Sequence, residues 1–361
     1  MQKKNKQAST LTALSIISSI YGLVLIASAT YSSGSISNII VQCAAIIIGI
    51  VIMLILKALD FEILLELNKI IFIAYTALLI LVLVIGTGRQ ETGTNGWISL
   101  GPVNIQPSEF AKIGFIITFS AHLNSVSDKI NSFKNIALLI LHLAVPLSLI
   151  LLQPDYGTAL VFIFITIIML FFAGLKLRYF VIAGCAFLAS APFIWMFLDE
   201  FQKNRILVFL NPELSPTGAG YNVIQSKLAV GSGMLFGKGL FKGTQIQMDF
   251  LPGKHTDFIF AVAGEELGFL GSLLIIALLS TIIFILVKNA ADVKKKSGSY
   301  ILAGIAAMLI FQSFENIGMC IGIMPVTGIP LPFFSYGGSS ILTTFISIGV
   351  ALSVLKRKDY I

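Results

Sequence analysis

Residues 39–56 read IIVQCAAIIIGIVIMLIL, without a single charged side chain. As an α-helix this run is about 27 Å long, close to the hydrocarbon thickness of a bilayer. Moving outward in windows of about 19 residues, the same signal recurs and gives ten candidate spans. They lie near 10–30, 36–56, 70–86, 108–122, 136–152, 157–174, 179–198, 258–287, 299–323 and 339–355. The chain has 361 residues, 57% hydrophobic and only 11% charged. A soluble domain carries roughly a quarter charged residues, so a water-soluble enzyme is excluded. A membrane β-barrel is excluded as well, because the apolar runs are too long and unbroken for its alternating pattern. The expected fold is an all-α membrane protein of about ten transmembrane helices, one polytopic domain over 1–361.

Lys3, Lys4 and Lys6 precede the first apolar run, and Ala27-Ser28-Ala29 resembles a signal cleavage site. The run is longer than a signal h-region, so an uncleaved first span is expected. Sixteen of the 24 Lys and Arg fall in alternate loops and tails on one side of the bilayer, including Lys57, Lys69, Lys129, Lys134, Lys176 and Lys294 to Lys296. By the positive-inside rule both termini are cytoplasmic. The net charge of +7 is thereby a matter of topology and implies no nucleic-acid partner. Cys43, Cys185 and Cys320 lie inside apolar runs without paired spacing, which fits inert thiols rather than disulfides or zinc.

The outward segments are 87–107, 153–156, 199–257 and 324–338, rich in Gly, Pro, Asn and Gln. In the long loop 199–257, Tyr221, Ile224 and Leu228 share a helical face, predicting an interfacial or re-entrant helix. Gly231, Gly233, Gly237, Gly239 and Gly243 follow it, and no strand precedes them to suggest a nucleotide site. The candidate chemistry gathers at this face, and ionisable residues at span ends are functional candidates. Glu109 and Lys112, three apart, are either a local ion pair or an acid and a cation lining a polar entrance. Asp257, in His255-Thr256-Asp257-Phe258, is either an N-cap or a site carboxylate. Glu265 lies two helical turns on, about 12 Å deeper, with Glu266 beside it. His255 reads as a metal ligand or as a plain hydrogen-bonding group. Arg89, Arg205 and the loop lysines add positive charge, which suits an anionic, phosphate-bearing ligand beside a lipid surface. Asp-x-Asp, Walker and Gly-x-Ser-x-Gly motifs do not occur in the sequence.

With these motifs in view, the sequence resembles the SEDS family (shape, elongation, division and sporulation) along essentially its whole length. The most specific stretch runs from Asn316 through Gly322, Pro325, Gly328 and Phe333-Phe334 to Ser335-Tyr336-Gly337-Gly338-Ser339-Ser340. Gln153-Pro154-Asp155-Tyr156-Gly157-Thr158, Gln106-Pro107-Ser108-Glu109 and Gly218-Ala219-Gly220-Tyr221 with Gln225-Ser226-Lys227 match further family motifs. So do His255-Thr256-Asp257-Phe258-Ile259-Phe260 and Gly264-Glu265-Glu266-Leu267-Gly268. Gly243-Thr244-Gln245 with Gln247 looks like the RodA branch. One departure is Gly253, where the family usually has Glu, with Asp249 as a candidate substitute.

The resemblance implies a peptidoglycan glycosyltransferase that polymerises lipid II at the outer face of the bacterial cytoplasmic membrane, together with a class B penicillin-binding protein. It implies Asp257 as the essential acid, Trp97 as a functional position, and Glu109, Lys112 and Arg205 around a central cavity. Asp155, Lys227, His255 and Glu265 complete the candidate substrate or cavity set. A divalent cation, Mg2+ or Mn2+, is expected, with Glu109 and Asp257 as candidate ligands, and no organic cofactor. Two other readings compete: a transporter that flips lipid II, and a non-catalytic scaffold for cell-wall synthesis.

Overall fold

The computed structural model describes residues 2–88, 94–101, 103–198, 200–214 and 218–356. Each of the ten expected spans falls on one helix. These are α1 (Gln2–Ala29), α2 (Ile36–Ala58), α4 (Asn68–Ile85), α5 (Pro107–Val126), α6 (Phe133–Leu151), α7 (Tyr156–Phe172), α8 (Leu177–Phe197), α12 (Ile259–Asp292), α13 (Lys296–Ile321) and α14 (Gly338–Lys356). Seven of them are long and apolar enough to cross a membrane: α1, α2, α4, α6, α12, α13 and α14. Helix α7 and the apolar part of α8 are shorter, and α5 carries Glu109, Lys112, Ser120 and His122. Four shorter helices join them: α3 (Phe61–Glu66), α9 (Glu200–Leu210), α10 (Ala219–Ser232) and α11 (Thr244–Gln247).

Burial separates the centre of the bundle from its lipid-facing rim. The apolar windows of α13 and α14 are 78% and 83% buried, against 17% for α4 and for α6. Helix α14 packs along α2, and α13 is flanked by α12, α7 and α5. Ionisable and polar groups within spans must be shielded from lipid, and the central helices carry them: Gln312, Glu315 and Asn316 on α13, Thr343 and Ser347 on α14, all buried. Helix α1 is part of this packing, with Leu11, Leu25 and Ile26 fully buried.

Three local features depart from the sequence expectation. Segment 87–107 contains an antiparallel hairpin, β1 (Ile98–Leu100) and β2 (Val103–Ile105), with Ile98 opposite Ile105. On α10 the buried positions among the described residues are Gly220, Val223, Ser226 and Ala229, while Leu228 is half exposed. The predicted Tyr221/Ile224/Leu228 face is thus not the packing face; small residues on the neighbouring face allow closer approach to α12 and α13, and Ser226 Oγ donates to the Cys320 carbonyl at 2.8 Å.

The third is a break in α12. Gly268 adopts φ 67°, ψ −158°, a conformation essentially reserved for glycine. The glycine-rich stretch after α10 lies in the gap and takes over the interrupted hydrogen bonds. Phe269 N donates to Met234 O (2.8 Å) and Leu270 N to Leu235 O (3.2 Å). In the other direction, Lys238 N and Gly239 N donate to Glu265 O and Glu266 O, both at 2.9 Å. Irregular backbone at a membrane helix requires such compensation. The lipid-exposed apolar residues Phe269, Leu273, Leu274 and Phe284 follow the break, so the membrane-facing part of α12 is 269–292, whereas 259–266 is wholly inside the protein.

Candidate active site

Asp257 precedes α12 in a loop whose backbone is fixed from several sides. Thr256 N and Phe258 N both donate to Gly253 O, at 3.1 and 3.2 Å. Ser335 Oγ donates to Thr256 O at 2.7 Å, Tyr336 N to His255 O at 2.9 Å and Asn316 Nδ2 to Asp257 O at 2.8 Å. Lys254, 6% exposed, ties the loop to α11 and the end of α1 through Ile246 O (2.6 Å), Asp249 Oδ1 and Ser32 Oγ (2.8 Å). Gly253 has φ +67°, a left-handed turn that a Glu there would strain. Asp249 does not replace that Glu in the cavity: its carboxylate is engaged by Lys254.

The side chain of Asp257 faces a cavity of about 400 Å³ at the end of the bundle that the charge count assigns to the outer face. Trp97, Glu109, Lys112, Asp155 and Arg205 line the same cavity, with Thr158, Asn222, Thr327 and Tyr336. Six of the nine residues singled out in the sequence are thereby brought together. Trp97 is held by its backbone against Thr87, with Thr87 N donating to Trp97 O at 2.8 Å. Asp155 caps α7, accepting from Thr158 N at 3.0 Å, and also accepts from Gln106 Nε2 at 3.2 Å. Glu109 and Lys112 form a buried pair at 2.7 Å, and Thr343 Oγ1 donates to the other Glu109 oxygen at 3.3 Å. This is the ion-pair alternative of the sequence reading, standing in the cavity wall.

Electrostatics single out Asp257 and Arg205. Burial pushes the Asp257 carboxyl up to about 6, with the Arg205 guanidinium opposing that rise. Burial lowers Arg205, while Asp257 and then Asp155 pull it back toward its ordinary value; a guanidinium stays charged under such shifts. The Asp155 carboxyl is likewise raised, chiefly by burial. Among the described residues no three His, Cys, Asp or Glu side chains converge, and both Glu109 oxygens already accept hydrogen bonds. Glu109 and Asp257 both line the cavity, and two carboxylates are a donor set that would hold a divalent cation only together with water or ligand oxygens, not by protein groups alone.

The other three candidates lie outside the cavity lining. Lys227 is exposed on α10, its stem alongside Gly322. The His255 ring packs on Tyr336 with centroids 5.5 Å apart, and burial followed by the Lys254 charge lowers its basicity. Glu265, fully buried, pairs with Lys238 at 2.7 Å and accepts from Gln245 N and Ile246 N at 3.0 and 3.1 Å. Glu266 accepts from Ser28 Oγ, from Phe241 N at 3.2 Å and from Gln247 Nε2 at 2.9 Å. The two acids therefore clamp the glycine-rich stretch onto the break in α12 instead of descending from the cavity. Glu266→Ala strands these buried donors and should cost about 3 kcal/mol of stability, at roughly 1 kcal/mol each. Thermal unfolding checks this, with activity per folded molecule expected to stay within about two-fold of wild type. Arg89 lies outside the described residues.

The chain is similar to known proteins along nearly its whole length. The FtsW/RodA/SpoVE family profile, described as "Cell cycle protein", matches residues 8–360. The peptidoglycan glycosyltransferase MrdB of Escherichia coli K12 is 39% identical over 279 residues, which is 77% of this chain and 75% of that protein. Stage V sporulation protein E of Bacillus subtilis strain 168 is 37% identical over 315 residues, covering 87% and 85%. A solved chain from a peptidoglycan synthase complex that coordinates polymerization and crosslinking superposes with TM-score 0.81 at 29% identity, covering 99% and 98%. The rod shape determining protein RodA of Thermus thermophilus superposes with TM-score 0.73 at 30% identity, covering 97% and 96%. With nearly the whole chain matched in sequence and in fold, this multi-pass membrane protein belongs to the FtsW/RodA/SpoVE family.

Proposed function

We propose that the chain is a peptidoglycan glycosyltransferase of the bacterial cytoplasmic membrane, polymerising lipid II at the outer face, with both termini cytoplasmic and a class B penicillin-binding protein as partner. The observation that carries this reading is one carboxylate and one guanidinium lining the same cavity, within electrostatic reach of each other, at the outward end of the bundle. The acceptor sugar hydroxyl loses its proton to Asp257 as its oxygen bonds to the donor's anomeric carbon. The bond from that carbon to the pyrophosphate oxygen breaks, and Arg205 faces the charge that develops on the leaving group. Attack from the side opposite the leaving group inverts the anomer. Lys112 is a weaker candidate for the leaving group, because Glu109 already neutralises it. The cavity has room for reacting sugars and pyrophosphate, not for the lipid, whose tail would lie between helices.

A flippase would hold its ligand near the bilayer midplane, and this cavity lies at one end. The test is purified chain with its class B penicillin-binding protein, in detergent, supplied with lipid II and assayed for glycan polymer by electrophoresis. Polymer is expected. No polymer, under conditions where a known polymerase succeeds, would sink the proposal; lipid II transfer across liposomes without polymer would favour the flippase.

A further inference from the structure

The cavity wall opposite Asp257 is the irregular segment 325–330, which makes no backbone–backbone hydrogen bond among the described residues. Two adjacent side chains of α13 hold it instead. Asn316 Nδ2 donates to Ile329 O at 2.8 Å, and Thr327 Oγ1 donates to Glu315 Oε1 at 2.9 Å. The two tethers flank Gly328, which has φ +77° and faces the carboxylate across a gap about one methyl wide: a Cβ there would reach ordinary van der Waals contact with Asp257 Oδ2, at 3.6 Å. Asn316 also holds the Asp257 carbonyl, so one helix sets both sides of this gap.

Glu315 has no other evident duty. It is an ionisable residue inside a membrane span, 1% exposed, where such a group is costly. Its Oε2 is buried without a protein partner, so Thr327 is the one hydrogen-bond partner of its side chain among the described residues. We propose that Glu315 is a positioning residue: by accepting from Thr327 it fixes the Thr327–Gly328 wall against Asp257 and so sets the bearing of that carboxylate toward the acceptor hydroxyl. This rests on the reading of Asp257 as the base. Misplacing a reacting group lowers the chemical step more than it weakens binding.

The experiment measures polymerisation of lipid II by the chain with its penicillin-binding protein, normalised to folded complex. Thr327→Val and Glu315→Leu each remove the tether, whereas Thr327→Ser and Glu315→Gln keep a hydroxyl donor and an oxygen acceptor. The two tether-removing variants should lower kcat about five- to twenty-fold with KM within about two-fold, and the two conservative ones should stay within about two-fold of wild type. The Glu315→Leu/Thr327→Val double variant should be no worse than either single one, because the two act as a unit. Unchanged kcat in Thr327→Val and Glu315→Leu overturns the proposal, as does a double variant whose loss is the product of the single losses. Asp257→Asn runs alongside. If it polymerises normally, the base reading itself falls; if it is inactive while the tether variants are unaffected, the tether alone is wrong.

Discussion

Asp257→Asn should lower glycan polymerisation to about 1% of the wild-type rate or less while the protein still folds and binds its partner. The expected loss is about 10²- to 10⁴-fold, the range for removing a positioned general base. Size and shape are kept, and the loop around position 257 is held by its backbone carbonyls through Asn316, Ser335 and Tyr336, so the substitution isolates the proton acceptor. The same assay carries a second readout. Burial raises this carboxyl to about 6, and a base works only when ionised. Activity should therefore fall as pH drops through about 6, by about ten-fold per unit below it, and level off above about 7. An Asn variant with wild-type rates, or a wild-type profile flat between pH 5 and 7, would remove Asp257 from the chemistry. Unfolding measured on the same preparations separates a chemical loss from collapse.

Lys112→Met should produce the largest loss of stability among single substitutions in the cavity wall. Lys112 and Glu109 are buried to 1% and 4% side-chain exposure with 2.7 Å between charges. Removing one partner leaves an uncompensated buried charge, at a cost of about 3–5 kcal/mol. The Thr343 hydroxyl that also bonds Glu109 is neutral and does not compensate. Replacing both, as Glu109→Gln with Lys112→Met, removes the stranded charge and should recover most of the loss. In a Cys43→Ser/Cys185→Ser background, which leaves buried Cys320 as the one thiol, a thiol-reactive fluorophore follows unfolding in detergent. The expected drop in Tm is on the order of 10 °C for the single variant. A double variant as unstable as the single one would show that the pair is not energetically coupled.

The spans are legible in the sequence because a bilayer imposes one strong rule: a run such as 39–56 has nowhere else to go. The cavity residues Glu109, Lys112, Arg205 and Asp257 could be picked out because charged groups at span ends and in the outer loop stand out against an apolar background, whereas Trp97 and Asp155 are marked only by their place in family motifs. What failed to read was geometry set by other parts of the chain. Glu265 looked like a deeper member of an acidic line, since helical spacing carries no information about the break at Gly268, which lets the glycine-rich stretch insert beside it. The packing face of α10 followed small residues and not large apolar ones, because closeness to α12 and α13 decided it. The hairpin at 98–105 is too short to show a period. Glu315 is different: an acid inside the ninth apolar run, directly before Asn316, is a visible anomaly in the sequence, but the residue it holds, Thr327, lies across a turn that no local spacing reveals.

The stitched break in α12 divides one helix between two masters. The stretch 269–292, about 36 Å as a helix, presents its apolar side chains to lipid, and its tilt answers to the thickness of the surrounding bilayer. The piece before the break sees only protein, and its direction is dictated by the inserted loop and the two clamping acids. Asp257 stands at the far end of that inner piece. A push from the bilayer on the outer strut has to cross the break and its loop-made hydrogen bonds before it reaches the carboxylate.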